Sequence, residues 1–506
     1  MINRTQLTLV AFVIATGCAG ETHSDNGEPQ AVKEEAELKP NFSRLQEELF
    51  SNPGAQTNAW ADYDGDGDLD LFVGFRNAPN RLYRNDQGSF VDVGLEAGLA
   101  VEEETRAAAW GDYDLDGDPD LYVGFAAVGI NNRLYRNDEG SFIDVAGELS
   151  IGQSGTTRQP AFVDYDGDGD LDLFVAFRDQ PNTLFRNDGT SFQNVTAVSG
   201  IGDSRRTVGV AWFDMDNDGD LDTFIANQNG DEDGFFRNNG DGTFTDVARE
   251  LGMHQPGRAQ DLGSVGTTVG DYDNDGDLDL FVASYGPDVL WENQGDGTFV
   301  NVAPGTPLAG DHHSVAADWG DINNDGWLDL YVDTFLSSEA EARDYLFIGG
   351  PKGFTEALPA EMLEHGASHG VRFADYDNDG DLDVALANNH AEGKHPLYRN
   401  NLAPELATRS LVVAVINQAG NWARAGTKVT LSRESDGFLS ARLVDTGGGY
   451  SSQGVGPVHF GLPQGSGFIT LTISWFEAGE MQTLTVPEIS LEELNSKWLF
   501  VRTEVR

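Results

Sequence analysis

The residues best placed to do chemistry are aspartates in a fixed pattern. Asp62, Asp64, Asp66 and Asp70 lie around Gly67 as Asp-x-Asp-x-Asp-Gly-x-x-Asp. The same spacing returns as Asp112, Asp114, Asp116 and Asp120; as Asp164, Asp166, Asp168 and Asp172; and as Asp214, Asp216, Asp218 and Asp222. It returns again as Asp271, Asp273, Asp275 and Asp279; as Asp321, Asn323, Asp325 and Asp329; and as Asp375, Asp377, Asp379 and Asp383. Positions one, three, five and nine offer side-chain oxygens, position seven can offer its carbonyl, and glycine at six permits the tight turn. Two carboxylates ~4 Å apart repel by about 4 kcal/mol at an effective dielectric near 20. Four converging on one point require a cation, and dense hard oxygen ligands suit Ca²⁺. The loop is not an EF-hand, because position twelve is Val73 rather than Glu. The alternative is a set of Asp-Gly turns chosen for hairpin geometry, which seven identical spacings disfavour. Up to seven Ca²⁺ ions are expected, with loop six the weakest because Asn323 and Trp327 lower its charge. Loop two departs only by Pro119.

The elements that must hold these loops repeat with them. The first aspartates are 50, 52, 50, 57, 50 and 54 residues apart. Each loop follows a small-residue strand ending in an aromatic, such as Ala107–Trp110, and precedes an apolar strand, such as Leu71–Val73. A third element (Leu82–Asn85) and a fourth (Gly88–Val93) complete the unit. Four short strands with Gly/Asn/Asp turns and a period near ~50 describe a propeller blade. No 3.6-residue periodicity supports helices. The seventh repeat lacks its fourth strand, whereas Phe42 stands alone upstream of the first loop. Residues Phe42 to Leu45 are therefore expected to supply the outermost strand of blade seven and close the ring. The fold class is all-β: a seven-bladed propeller over 41–402, then a small β-sandwich-like domain over 403–506.

These repeats resemble the FG-GAP or VCBS repeats of integrin-α-type propellers. The resemblance implies calcium at one face of the ring, stiffening the blades. The tripeptides Tyr83-Arg84-Asn85, Tyr135-Arg136-Asn137, Phe185-Arg186-Asn187, Phe236-Arg237-Asn238 and Tyr398-Arg399-Asn400 are read as structural turns, not ligand contacts.

After Asn401, Leu411–Val415, Lys428–Leu431, Phe468–Ile473 and Trp498–Val501 read as strands. Ala425–Val429, Gly447–Gln453, Val458–Leu462 and Ile473–Trp475 resemble the ASPIC/UnbV domain. The departures are Ala425-Gly426-Thr427 for the family's Gly-Ala-Arg and Trp475-Phe476-Glu477-Ala478-Gly479 for its Trp-Pro-Ser-Gly turn. The order of the two regions resembles bacterial relatives of the cartilage acidic protein family, which implies an extracellular calcium-binding protein with a role in binding or adhesion.

Basic residues are scarce, yet several fall in loops that enter the innermost strands, opposite the acidic loops. They are Arg106, Arg158, Arg205, Arg206, Arg258, His312, His313, His365 and His369. Arginine suits planar anions, so an acidic glycan or a carboxylate is a candidate ligand. The alternative is pairing with Glu102, Glu103, Asp203, Asp261 and Asp311. A histidine metal site at His365 and His369 is a further alternative.

Arg4, the apolar run Leu7–Ala15 and Thr16-Gly17-Cys18 form a secretory signal over 1–17, too short for a transmembrane helix. Ala15–Cys18 resembles the bacterial lipobox, so Cys18 is a candidate lipid anchor and 18–40 an acidic tether. The chain is read as exported, either a cell-envelope lipoprotein or secreted. With 31 Lys+Arg against 84 Asp+Glu, a net charge of −53 excludes nucleic acid and leaves membrane contact to the anchor. One cysteine excludes a disulfide scaffold and a multi-cysteine zinc site. There is no nucleophile elbow, haem-attachment motif or phosphate loop, so no catalytic residue is assigned. A binding module for an extracellular protein or glycan is the first reading. A polysaccharide lyase or hydrolase on the same propeller and a structural partner in a surface assembly are the alternatives.

Overall fold

The computed structural model describes residues 40–335, 343–363, 368–390, 393–417, 420–422, 424–465, 467–491 and 498–503. The signal, Cys18, the tether up to residue 39, and His365 lie outside the described residues. Among the described residues no helix is long and apolar enough to cross a membrane.

The repeats fold into seven sheets, each carrying four strands from the repeat unit. In the first, Ala55–Ala61, Asp70–Phe75, Arg81–Asp86 and Ser89–Asp92 pair in order, all antiparallel. The seven inner strands touch in succession, and Ser368–Ala374 of the seventh touches Ala55–Ala61 of the first, completing a ring. The inner strands are buried except for the half-buried Val269, Asp318, Arg372 and Phe373, and are built largely from Ala, Gly, Thr and Ser, because they crowd together at the axis. Apolar clusters fill the spaces between neighbouring sheets. One joins Phe72, Leu82 and Trp110; another joins Phe174, Trp212 and Phe244. A lone sheet could not bury both faces, so the ring is the unit of stability.

The ring closes as the sequence indicates. Phe42–Leu45 pairs antiparallel with Leu397–Asn400, Phe42 opposite Asn400, as the outermost strand of the seventh sheet. Phe42 is buried against the sixth and seventh sheets.

The C-terminal region is two facing sheets. Ser410–Ile416 lies between Val458–Gly461 and Trp498–Arg502 in a three-stranded sheet. Phe438–Leu443, Lys428–Arg433, Phe468–Glu477 and Glu480–Ser490 form the second. Leu411, Val413, Val429, Leu471, Phe460 and Trp475 share the core between them. This sandwich sits on the face of the ring that carries the acidic loops. Asn421 Nδ2 donates to the Leu115 carbonyl at 2.8 Å, and the Ala478 N–H donates to Gly167 at 2.7 Å. Lys428 Nζ donates to Asn217 Oδ1 at 3.3 Å, and the Ala441 N–H donates to Asp271 Oδ2 at 2.7 Å. From the sandwich a hairpin, 445–455, enters the channel of the ring. Ser452–Gln453 adds as a parallel strand beside Ala108 and Ala109.

Candidate functional site

Each acidic loop is shaped by its own first and last aspartate. Asp62 accepts the Asp66 and Gly67 N–H groups at 3.1 and 3.0 Å, folding the loop around its carboxylate. Asp70 accepts Tyr63 N–H at 3.1 Å with one oxygen and Asn85 N–H at 2.8 Å with the other. It therefore ties the loop to the third strand. The pattern repeats at Asp112 and Asp120, Asp164 and Asp172, and Asp214 and Asp222. The ninth aspartate thus has a structural duty that the metal-ligand reading did not include.

The oxygens converge. In loops two, three and five the carboxylates of positions one, three and nine come within 4.8 Å of one another: Asp112, Asp114 and Asp120; Asp164, Asp166 and Asp172; Asp271, Asp273 and Asp279. In loops one and four the group is positions one, three and five: Asp62, Asp64 and Asp66; Asp214, Asp216 and Asp218. At position three, Asp114, Asp166, Asp216 and Asp377 each keep one buried oxygen without a hydrogen-bond partner. Burial pushes Asp112 up to about 7 and Asp120 up to about 9, and Asp116 and Asp114 repel Asp112 further. A pocket of buried, mutually repelling carboxylates with free lone pairs is a fit for a hard cation.

Loop six differs. Asn323 Nδ2 donates to Asp325 Oδ2 at 3.1 Å, and Asn323 Oδ1 accepts the Asp325 N–H at 3.0 Å, so its amide is occupied within the loop. Gly461 of the sandwich lies against Asp321, where a Cβ would overlap Oδ2.

The Tyr/Phe-Arg-Asn tripeptides are not turns but third strands, and their asparagines clamp adjacent blades. Asn137 Nδ2 donates to Tyr63 O of the preceding loop at 2.8 Å and to Pro119 O at 3.1 Å. Asn85, Asn187, Asn238 and Asn400 make the corresponding pairs of bonds. Arg84, Arg136 and Arg186 pair with Asp86, Asp138 and Asp188 at the surface.

The candidate anion residues split into two groups. Arg205 pairs with Asp203 and Asp246, both at 2.8 Å, and Arg206 with Asp231 at 2.8 Å. Arg258 pairs with the buried Asp233 at 2.9 Å. These three are paired with acids of their own surroundings, as the alternative reading expects. His312 packs on Tyr345 at 4.1 Å, and His313 stacks on Tyr285 at 4.0 Å. Arg106, Arg158 and His369 instead come together in the channel with no acid paired to either arginine among the described residues.

What sequence reasoning missed is the side chain they meet. Tyr450, at the tip of the hairpin, lies 2% exposed among them, and its Oη accepts from Arg106 Nη2 at 3.0 Å. Tyr450 and Ser451 take left-handed backbone conformations at φ 73° and 58°. The preceding Gly449, at φ 60°, lies so close to the Val371 carbonyl that no Cβ would fit. The run Gly447-Gly448-Gly449 was the visible signal: only glycine lets a chain pass this close to the inner strands. Thr446 Oγ1 donates to Trp212 O at 2.7 Å, Gln453 Nε2 donates to Phe162 O at 2.9 Å, and Val455 N–H donates to Trp60 O at 2.8 Å, so the hairpin is anchored in blades four, three and one. Beside it, a cavity of about 200 Å³ between ring and sandwich is lined by Trp60, Trp319, Arg372, Asp445, His459 and Trp498.

The FG-GAP-like repeat family model matches residues 62–123, 126–175, 164–225, 214–282 and 271–332. The ASPIC and UnbV model matches 417–491. Cartilage acidic protein 1 of Homo sapiens is 28% identical over 241 residues, 45% of this chain and 34% of the relative. The Mus musculus protein of the same name is 27% identical over 275 residues, 52% of this chain and 40% of the relative. The chain thus spans well under half the length of these relatives. Among solved structures, the BP39L lectin from Burkholderia pseudomallei aligns with a TM-score of 0.48 at 12% identity, covering 70% of this chain and 99% of the lectin.

Proposed function

The chain belongs to the FG-GAP-like repeat family, and on that premise we propose that it is an exported or surface-anchored binding module whose ring is stiffened by calcium. The repeats and the ASPIC/UnbV region indicate a propeller-type ligand-binding module. To this we add calcium binding, export and a role in adhesion.

One observation carries the calcium: the buried position-three oxygens of Asp114, Asp166, Asp216 and Asp377, which have no hydrogen-bond partner within their loops. Positions one, three, five and nine would hold the ion. A bound Ca²⁺ would supply charge neutralisation and tie the first strand of a blade to its second. The sandwich over the loop face leaves the opposite mouth of the channel as the place for a ligand.

The test is thermal unfolding of the whole chain with calcium and with EDTA, with metal content measured by mass spectrometry. Chelation is expected to lower Tm, and calcium to restore it. An unchanged Tm and no bound calcium would remove the ion from the account.

A further inference from the structure

Every inner strand carries a β-bulge near its start, opposite the acidic loops. The bulge falls between Ala55 and Thr57, Thr105 and Ala107, Thr157 and Pro160, and at the equivalent places in the other four sheets. A bulge re-aims the side chain it carries. Here the bulged residues form one layer of the channel with two unlike halves. Gln56, Arg106, Arg158 and His369 make a polar half, and Val208, Val265 and Val315 make an apolar half; all seven are buried. Tyr450 matches this division. Its ring packs in one cluster with the three valines, and its hydroxyl meets Arg106.

The polar half has too much positive charge for its surroundings. Arg158 is 5% exposed, donates to the Thr157 carbonyl at 3.2 Å and makes no ion pair among the described residues. Its Nε has no partner, nor has Nε of Arg106 or Nδ1 of His369. Arg76 and Arg178 lie near enough to act electrostatically on this layer. The neighbouring acid, Glu104, is engaged by Arg76 and by Gln56 Nε2, both at 3.2 Å. Burial, then Arg106, pulls the Arg158 guanidinium down to about 9. A buried arginine pair without a counter-charge is costly, and it stands out in a chain of net charge −53. Tyr450 Oη accepts from Arg106, so its own proton remains to donate. Half-buried Tyr285, His313 and Phe335 stand beside this layer, Tyr285 stacked on His313 at 4.0 Å and Phe335 5.8 Å from His369.

We propose that the propeller and the C-terminal hairpin together form a carboxylate site, in which Arg106, Arg158 and the Tyr450 hydroxyl hold the acid group of a ring-bearing ligand of the uronic-acid class and the aromatic wall takes its ring. Paired guanidinium forks match a planar carboxylate. The inference deepens the binding-module reading and rests on it, but not on calcium.

The experiment is calorimetric titration of the full chain, in calcium buffer, with glucuronate, glucose, acetate and a short peptide with a free C-terminal carboxylate. Glucuronate is expected to bind and glucose not to. Arg158→Met and Arg106→Met should each weaken glucuronate at least tenfold. Tyr450→Phe, which keeps the ring packing, should weaken it about threefold or more, and melting curves establish that each variant is folded. Four results would overturn the proposal: no heat with any carboxylate on the folded wild type; unchanged affinity in a folded Arg158→Met; acetate or the peptide binding more tightly than glucuronate; or tyrosinate absorbance at 295 nm and pH 8 that vanishes in Tyr450→Phe. The last would make Tyr450 itself the counter-charge. Loss of glucuronate binding with an intact EDTA response would sink this site and leave the calcium reading standing.

Discussion

In loop one, Asp64 and Asp66 face solvent and each contributes a carboxylate to the cluster around Asp62. In loop six, Asp321 and Asn323 are each 1% exposed, and the sandwich lies over them. The backbone scheme is the same: position one folds the loop, and position nine ties it to the third strand. The charge solution differs. Loop one leaves its repulsion for a cation to relieve. Loop six removes one charge with Asn323, and its aspartates lie beside the buried Arg442 of the sandwich, which offsets part of the rise that burial imposes on Asp321. One loop geometry thus stands in two charge settings, open to solvent in loop one and only partly offset by Arg442 in loop six.

What both loops share is the closed ring, and breaking it gives the largest effect. Deleting 41–46 removes the strand paired with Leu397–Asn400 and the buried Phe42. Loops one and six should then fail together, with Tm falling by about 10 °C or more. Circular-dichroism melting checks this, and an unchanged Tm refutes closure.

Gly461→Ala comes next and strikes loop six alone. The added methyl would meet Asp321 Oδ2 and the Asn324 backbone. The expected loss is about 2–3 kcal/mol, the range for overpacking a tight contact. Limited proteolysis should cut faster between ring and sandwich, near 403–409. Equal cleavage of variant and wild type would mean that the sandwich does not depend on this contact.

A smaller effect sharpens the difference directly. Asp64→Asn should reduce the number of bound calcium ions by about one and shrink the Tm gain from calcium. Asn323→Ala should leave the ion count unchanged, because the position-three side chain of loop six is already bonded to Asp325. Calcium counts by mass spectrometry decide. One ion lost from the Asn323 variant would put loop six in the same class as loop one.

The repeated parts of this molecule were legible because repetition averages out local ambiguity. The loop spacing, the four-strand unit and the orphan Phe42–Leu45 strand could be compared across seven copies. The C-terminal strands Leu411–Val415 and Phe468–Ile473 were also visible from their apolar runs. What could not be read was anything that joins distant segments once only. The glycines before Tyr450 signal a close backbone approach, but nothing near it in sequence names its partner, Arg106, 344 residues away. The separation of Arg106 and Arg158 from Arg205 and Arg206 depended likewise on which acids fold beside them. Asp203, Asp231 and Asp246 reach the second pair, whereas the inner-strand bulges turn the first pair toward the axis, where the neighbouring Glu104 is engaged by Arg76 and Gln56. Asparagine clamps such as Asn137 to Tyr63 were hidden for a related reason. The tripeptides were read as turns, and the preceding blade's carbonyl is a tertiary partner.

The smallest effect separates blade six from the rest at a single buried position. Its second strand carries Asp333 where the others hold Gly74, Gly124, Ala176, Ala226, Ala283 or Ala387. Asp333 is fully buried, and burial, then the like charge of Asp344, pushes its carboxyl well above the usual carboxylate range. The folded state therefore keeps a proton that the unfolded chain releases near pH ~4. Stability must fall as pH rises above that value, until the folded group itself ionises. Asp333→Ala removes this term and matches the residue four other blades use. It should raise stability at pH 7 by about 2 kcal/mol, or Tm by about 2 °C, with the gain shrinking as pH approaches 4. Melting curves of both proteins at pH 4, 5.5 and 7 test the sign. A variant less stable than wild type at pH 7 would mean that Asp333 is held by an interaction worth more than the burial of its charge.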